Sequence, residues 1–340
     1  MLLFFMNMKD SNYPYAITLA SLVVITAGIM AMSQLVIPLL LSMLFAVILN
    51  PAVNTFSEYT KISRGVSSTI IVTLVVALLI WTISALSTNI TDLAYNSKYI
   101  VLKLEEQASN YIDLKALNLS SIVSSNFDFG AVLKSGIKVF STVKDTASHV
   151  FIVFLMTTFM LCESESWKSK INTLLSHKRG DKLDTSNQIY TEIYKYISVK
   201  TLTSAMTGLC VAVCLNVLGH QYWITWGVLA MLLNYIPNVG SVFAAIPAVL
   251  VAFATMNTLD ATLTIGVYIL VNGVIGAWLE PRLIGDSLGI SALVIFVSML
   301  FFGYVLGIVG MILSVPIIVF AITAIDTLKP ENEITVLLKN

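Results

Sequence analysis

Apolar runs long enough to cross a bilayer recur along this chain, and the polar stretches between them divide it into parts. A first run at about 15–33 is followed almost at once by a second at 35–50, and a third covers 66–88. A fourth run occupies 147–162, and further runs at 201–219 and 262–279 follow. Runs of about 20 apolar residues match a hydrocarbon layer of about 30 Å. The first run is long for a signal-peptide core and lacks a small-x-small cleavage pattern, so it reads as an uncleaved span. Pro38 fits the first turn of the second span. Leu49-Asn50-Pro51 predicts the end of that span and a loop over 52–65.

Between residues 89 and 146 the pattern changes, with six lysines and six acidic residues among the apolar positions. Ile100, Leu104, Ala108 and Tyr111 recur at helical spacing, as do Leu133, Ile137, Phe140 and Lys144. This predicts an amphipathic helical segment outside the bilayer. Residues 163–200 carry seven Lys/Arg, and basic loops lie on the cytoplasmic side. That places 52–65 and both termini inside and 89–146 outside.

The second half contains two similar blocks. Residues 201–219 form a full span, then a short apolar helix at 224–236 meets the turn Pro237–Ser241 and a helix at 242–256 containing Pro247. The span at 262–279 is likewise followed by a short helix at 290–303, the glycine-rich turn Gly303–Gly310 and a helix to about 325 containing Pro316. Helices of about 13 residues fall short of a bilayer at 1.5 Å per residue. Two readings stay open, a re-entrant hairpin in each block or two long kinked spans. Re-entrant hairpins make the blocks an inverted repeat, in which helix breaks mark the transport site. The fold class is therefore all-α: a polytopic helical membrane protein of about eight membrane segments. Its parts are 1–88, 89–146, 147–200, a core at 201–326 built from 201–256 and 262–326, and a tail at 327–340.

Composition sharpens this. The chain has 340 residues, 57% hydrophobic and only 11% charged, against about 25% charged in soluble domains. The formal net charge is zero, which gives nucleic acid no footprint. Cys162, Cys210 and Cys214 form no CxxC pair, and His149, His177 and His220 are scattered, so neither metal nor cofactor is expected. No phosphate-binding loop, GxSxG elbow or HExxH occurs, so an enzyme is not expected.

From Thr201 to Ile325 the charged residues are Asp260, Glu280, Arg282 and Asp286. Glu280 and Arg282 flank Pro281, which predicts that the span ends near Leu279. They read either as an exposed interfacial ion pair or as a gate. Asn234, Tyr235, Asn238 and Ser241 gather at the first break, and Asn272 is an isolated amide in a span. Unpartnered polar groups in lipid cost several kcal/mol, so these cap freed backbone or line a wet path.

The stretches 36–51, 232–250 and 279–317 resemble the autoinducer-2 exporter family of bacterial membrane proteins. The resemblance covers most of the chain and implies an inner-membrane transporter of a small polar solute. It also implies a homo-oligomer, by analogy a pentamer, and an elevator-like movement of the repeats. The residues that match its motifs are Asn234, Pro237, Asn238, Gly240, Glu280, Pro281, Arg282 and Gly285. Asp286 departs from a pattern that often has a basic residue there. Sodium/proton exchange is the alternative activity the family implies. A membrane scaffold binding a partner through 89–146 is a third reading.

Overall fold

A computed structural model describes residues 13–96, 98–100, 102–104, 106, 147–176, 183–237, 239–284 and 290–328. Every element assigned among them is helical. Five stretches are long and apolar enough to cross a membrane: Ser33–Thr60, Arg64–Thr82, Ile193–Val217, Thr258–Ile284 and Ala292–Ile322. The amphipathic segment expected at 89–146 lies mostly outside the described residues, as does the tail beyond 328.

The first helices form one body. Helix α1 (Tyr13–Ala31) runs into α2 (Ser33–Thr60), which is followed by α3 (Arg64–Tyr95) and α4 (Ala147–Ser176). The expected end of the second span at Pro51 is corrected, because α2 continues through both Pro38 and Pro51. Proline removes one intrahelical bond. Beyond it, Val53 is fully buried against Leu161 and Val72, and this packing holds the helix on course. Helix α2 ends where Lys61 turns left-handed. Arg64 then ties the body together. Its Nε donates to Leu161 O at 3.1 Å, and a terminal nitrogen donates to Asn50 Oδ1 at 2.5 Å and Ser164 Oγ at 2.6 Å.

The second half is built on α5 (Leu183–Val217), so most of the expected basic loop at 163–200 is helix belonging to α4 and α5. Lys200, Thr203, Ser204, Thr207, Gly208, Val211 and Leu215 are all buried along α5. Their spacing of three and four residues defines one face. Helix α6 (Trp223–Leu233) packs on that face at very short range. A Cβ on Gly208 would lie 2.7 Å from Gly227 O, so small residues permit the approach.

Helix α7 (Gly240–Thr255) follows the first break. A Cβ on Gly240 would fall far inside van der Waals contact distance of Leu233 O. Residues seven apart in a continuous helix are about 10 Å apart along its axis, so the chain doubles back between α6 and α7. The next span comprises α8 (Thr258–Val271), a π-helical segment (Asn272–Leu279) and α9 (Glu280–Ile284). The expected end at Leu279 is thus corrected. The Glu280 N–H donates to Ile275 O, a π-type bond five residues back. Pro281, which has no N–H to donate, follows directly on this π-helical segment.

Helix α10 (Ala292–Leu328) is interrupted at Gly307 (φ 66°, ψ −150°), a backbone region open essentially to glycine. Around this break a Cβ on Gly303 would lie 2.8 Å from Met311 Cγ. Eight residues of straight helix would separate them by about 12 Å. The chain therefore doubles back here too, at the position that corresponds to the first break. At both breaks, backbone from one side of the break lies in direct contact with the other side.

Candidate functional site

One short stretch of α5, Lys200-Thr201-Leu202-Thr203-Ser204, meets the first break and the end of the second block's leading span through polar side chains. Lys200 Nζ donates to Glu280 Oε1 at 2.7 Å, an ion pair whose side chains are only 8% and 15% exposed. The Thr203 hydroxyl donates to the other oxygen, Oε2, at 3.1 Å. Two residues of the first break also dock on α5. Tyr235 OH donates to Thr201 Oγ1 at 3.0 Å, and Asn234 Nδ2 donates to Ser204 Oγ at 3.1 Å. Asn234 has a second task, since its N–H caps α6 on Ala230 O and Leu232 O. The backbone N–H of Asn234 thus serves the helix end, and its side-chain amide serves the cluster.

Lys200 lies about two turns inside the apolar stretch Ile193–Val217, roughly 10 Å from its start at 1.5 Å per residue. A lone charge there would be costly, and the pairing with Glu280 removes the net charge. The pair joins the leading span of one block to the leading span of the other. Beside it runs a narrow cleft lined by Leu44, Tyr196, Lys200, Tyr235, Ile312 and Pro316, with room for about one water.

The remaining expected residues are placed as follows. Pro237 is buried in the first break and its carbonyl accepts from Val239 N at 2.7 Å. Gly240 provides the close backbone approach, and Ser241 is half-buried in the first turn of α7. Asn272 is half-buried and opens the π segment, a type of irregularity frequent at functional sites. Pro281 is exposed. Asn238 and Gly285 lie outside the described residues.

Arg282 corrects the expectation of a Glu280–Arg282 pair. It is exposed, and its guanidinium sits 4.1 Å above the ring of Trp278, while Glu280 turns inward to Lys200. The Arg282→Ala variant is expected to lose only about 0.5–1 kcal/mol of stability, the worth of an exposed cation–π contact. Solute flux should stay within about twofold of the parent, since exposed substitutions away from buried networks shift energies little. Thermal unfolding and flux in the same vesicle preparation check this, and a tenfold loss of flux would return Arg282 to the site.

At the far end of α5 a second polar contact ties the same two spans. His220 Nε2 lies 2.8 Å from Thr264 Oγ1. The Thr264 hydroxyl donates its one hydrogen to Asp260 O at 2.9 Å, so His220 is the donor and Nε2 carries the proton. Burial pushes the His220 pKa below its ordinary value, with Asp260 pulling the other way.

Lys200, Thr203 and Ser204 were missed in the sequence. Lys200 counts there as the last residue of a basic loop, and the hydroxyls look like ordinary helix residues. The signal that marks them is the spacing of Lys200, Thr203, Ser204 and Thr207 along one face of an otherwise apolar span.

Residues 19–329 match the family described as AI-2E family transporter. The chain is similar to the AI-2 transport protein TqsA of Escherichia coli, 30% identical over 332 residues and 95% of each chain. It is also 30% identical over 309 residues, 88% of each chain, to a Haemophilus influenzae protein named "Putative transport protein". A second Escherichia coli relative, similarly named with the symbol YhhT, is 31% identical over 329 residues, 94% of this chain and 92% of its own.

Proposed function

The chain belongs to the AI-2E family of membrane transporters, and on that premise we propose that it exports a small, uncharged, polar solute such as AI-2 from the cytoplasm. The observation that carries this reading is the cluster around Lys200 and Glu280. It offers amide, hydroxyl and ammonium groups at membrane depth while holding no net charge. A neutral polyol needs hydrogen-bonding groups of that kind and no fixed charge.

In this reading α6–α7 and the two arms of α10 are re-entrant hairpins, which makes the two blocks inverted repeats around a shared site. The repeats move against the body formed by α2, α3 and α4. The Arg64 clamp supports this division, because it locks those three helices to one another. On this reading, which follows the family resemblance, the protein is a homo-oligomer of the bacterial inner membrane, and the basic stretches support cytoplasmic termini.

A second reading, exchange of a monovalent cation for protons, gains support from one observation. Glu280 is a buried carboxylate holding a cation, whereas the sequence placed it at an interface. One preparation separates the two. Purified protein in proteoliposomes is loaded with AI-2, and efflux is followed with and without a sodium pulse across a pH gradient. Protein-dependent efflux of AI-2 is the expected result. Absence of efflux together with a sodium-evoked collapse of the pH gradient would overturn the export reading in favour of exchange.

A further inference from the structure

We infer that the Lys200–Glu280 pair is the solute-recognition element and that its zero net charge selects uncharged polyhydroxylated solutes over ions of the same shape. This rests on the reading of the chain as a carrier of small polar solutes.

The cleft beside the pair lies where three parts of the fold meet. Leu44 comes from α2, Tyr196 and Lys200 from α5, Tyr235 from the first break, and Ile312 and Pro316 from α10. The lining thus combines the Lys200 ammonium and two tyrosines with the aliphatic side chains of Leu44, Ile197 and Ile312 and the ring of Pro316. Retreat of Leu44, Ile312 and Pro316 enlarges the cleft and exposes the polar side chains without breaking a polar contact of the cluster.

Lys200 has three N–H donors, and Glu280 takes one at 2.7 Å. A solute oxygen can accept another while Glu280 keeps the first. Tyr235 already donates to Thr201, so its oxygen remains free to accept from a solute hydroxyl. Glu280 is held on both oxygens, by Lys200 and by Thr203, and therefore stays as the counter-charge when solute enters. An anion brought to the pair would leave the buried set with one unpaired negative charge, and a cation would leave one unpaired positive charge. Both are penalised in a site this enclosed. Selectivity against ions is thus a property of the pair, not of cleft size. Removing one member should reverse it: Glu280→Gln leaves a net positive charge and favours an anion.

The test uses the full chain in lipid nanodiscs, with Cys162, Cys210 and Cys214 replaced by alanine and a single reporter introduced by Ile312→Cys. Maleimide labelling of the reporter is timed in millimolar ribitol, ribonate or 1-amino-1-deoxyribitol, which are matched in shape and differ in charge. In the parent pair, ribitol is expected to slow labelling at least threefold, and the two ions are expected to leave it unchanged. In Glu280→Gln, ribonate is expected to protect at a concentration at least tenfold below that of ribitol. Each single variant strands a charge, so Lys200→Met/Glu280→Gln provides a neutral control that must again show no preference for either ion. Equal protection by all three compounds in the parent, or no protection by ribitol, overturns the inference even if every variant fails to fold. AI-2 efflux is read separately. Efflux without charge selection leaves the export reading standing and removes this one, and selection without efflux does the reverse.

Discussion

Lys200→Met is expected to destabilise the protein by about 3–5 kcal/mol, and adding Glu280→Gln should recover most of that loss. Removing one partner of a buried ion pair strands the other charge, and the stranded charge sets the cost. The two side chains are nearly enclosed, so solvent screens little of it. Replacing both partners by uncharged groups of similar size is far milder, because no charge remains to be solvated. The double variant should therefore lose much less than the sum of the single variants, the signature of coupled residues in a double-mutant cycle. Transport should part company with stability. The double variant still lacks the ammonium donors, so its AI-2 flux should remain at least about tenfold down, the effect of about 1.4 kcal/mol of lost binding. Thermal unfolding in detergent gives the stabilities and vesicle efflux gives the rates. Additive losses would mean that Lys200 and Glu280 do not act on one another in the folded protein.

The pair also explains what could be read from the sequence and what could not. Apolar runs locate the spans, because length and hydropathy respond to the bilayer alone. The breaks at Pro237–Ser241 and Gly303–Gly310 were equally legible, since glycine and proline have few other uses inside apolar helices. Lys200 was not, because it is 80 residues from Glu280 and its neighbours look like the end of a basic stretch. Arg282, two residues from Glu280, was the nearer partner on the page, and the fold turns it to Trp278 instead. The π segment before Glu280 leaves no mark in hydropathy, because an apolar run is apolar in either winding. Pro51 shows the converse error, a strong local signal overridden by the burial of Val53. Local rules fixed which pieces exist, and contacts distant in sequence decided which of them face one another.

Gly310→Ala should be among the most damaging single-methyl substitutions in the chain. A Cβ there would fall far inside van der Waals contact distance of Phe302 O and 2.8 Å from Leu306 Cβ. The carbonyl oxygen belongs to the backbone, so no side-chain rotation relieves the clash, and the two arms of α10 must separate. Overpacking of this kind costs about 1–3 kcal/mol and occasionally more. Gly240→Ala should behave alike, since its Cβ would meet Leu233 O at the first break. Gly266 makes the contrast. It sits within α8 with nothing within 4 Å of an added Cβ. Alanine is the better helix former by about 0.5–1 kcal/mol, so Gly266→Ala should leave stability unchanged or raised. The same methyl group therefore has opposite signs at positions 310 and 266 if the chain doubles back as described. A continuous or gently kinked helix through Gly307 would keep the Phe302 carbonyl about two turns away from residue 310, and both substitutions would then be tolerated. Thermal unfolding of the three variants decides between these outcomes. Flux through Gly310→Ala adds a second reading, because prising the arms of α10 apart also displaces Ile312 and Pro316 from the cleft wall beside Lys200.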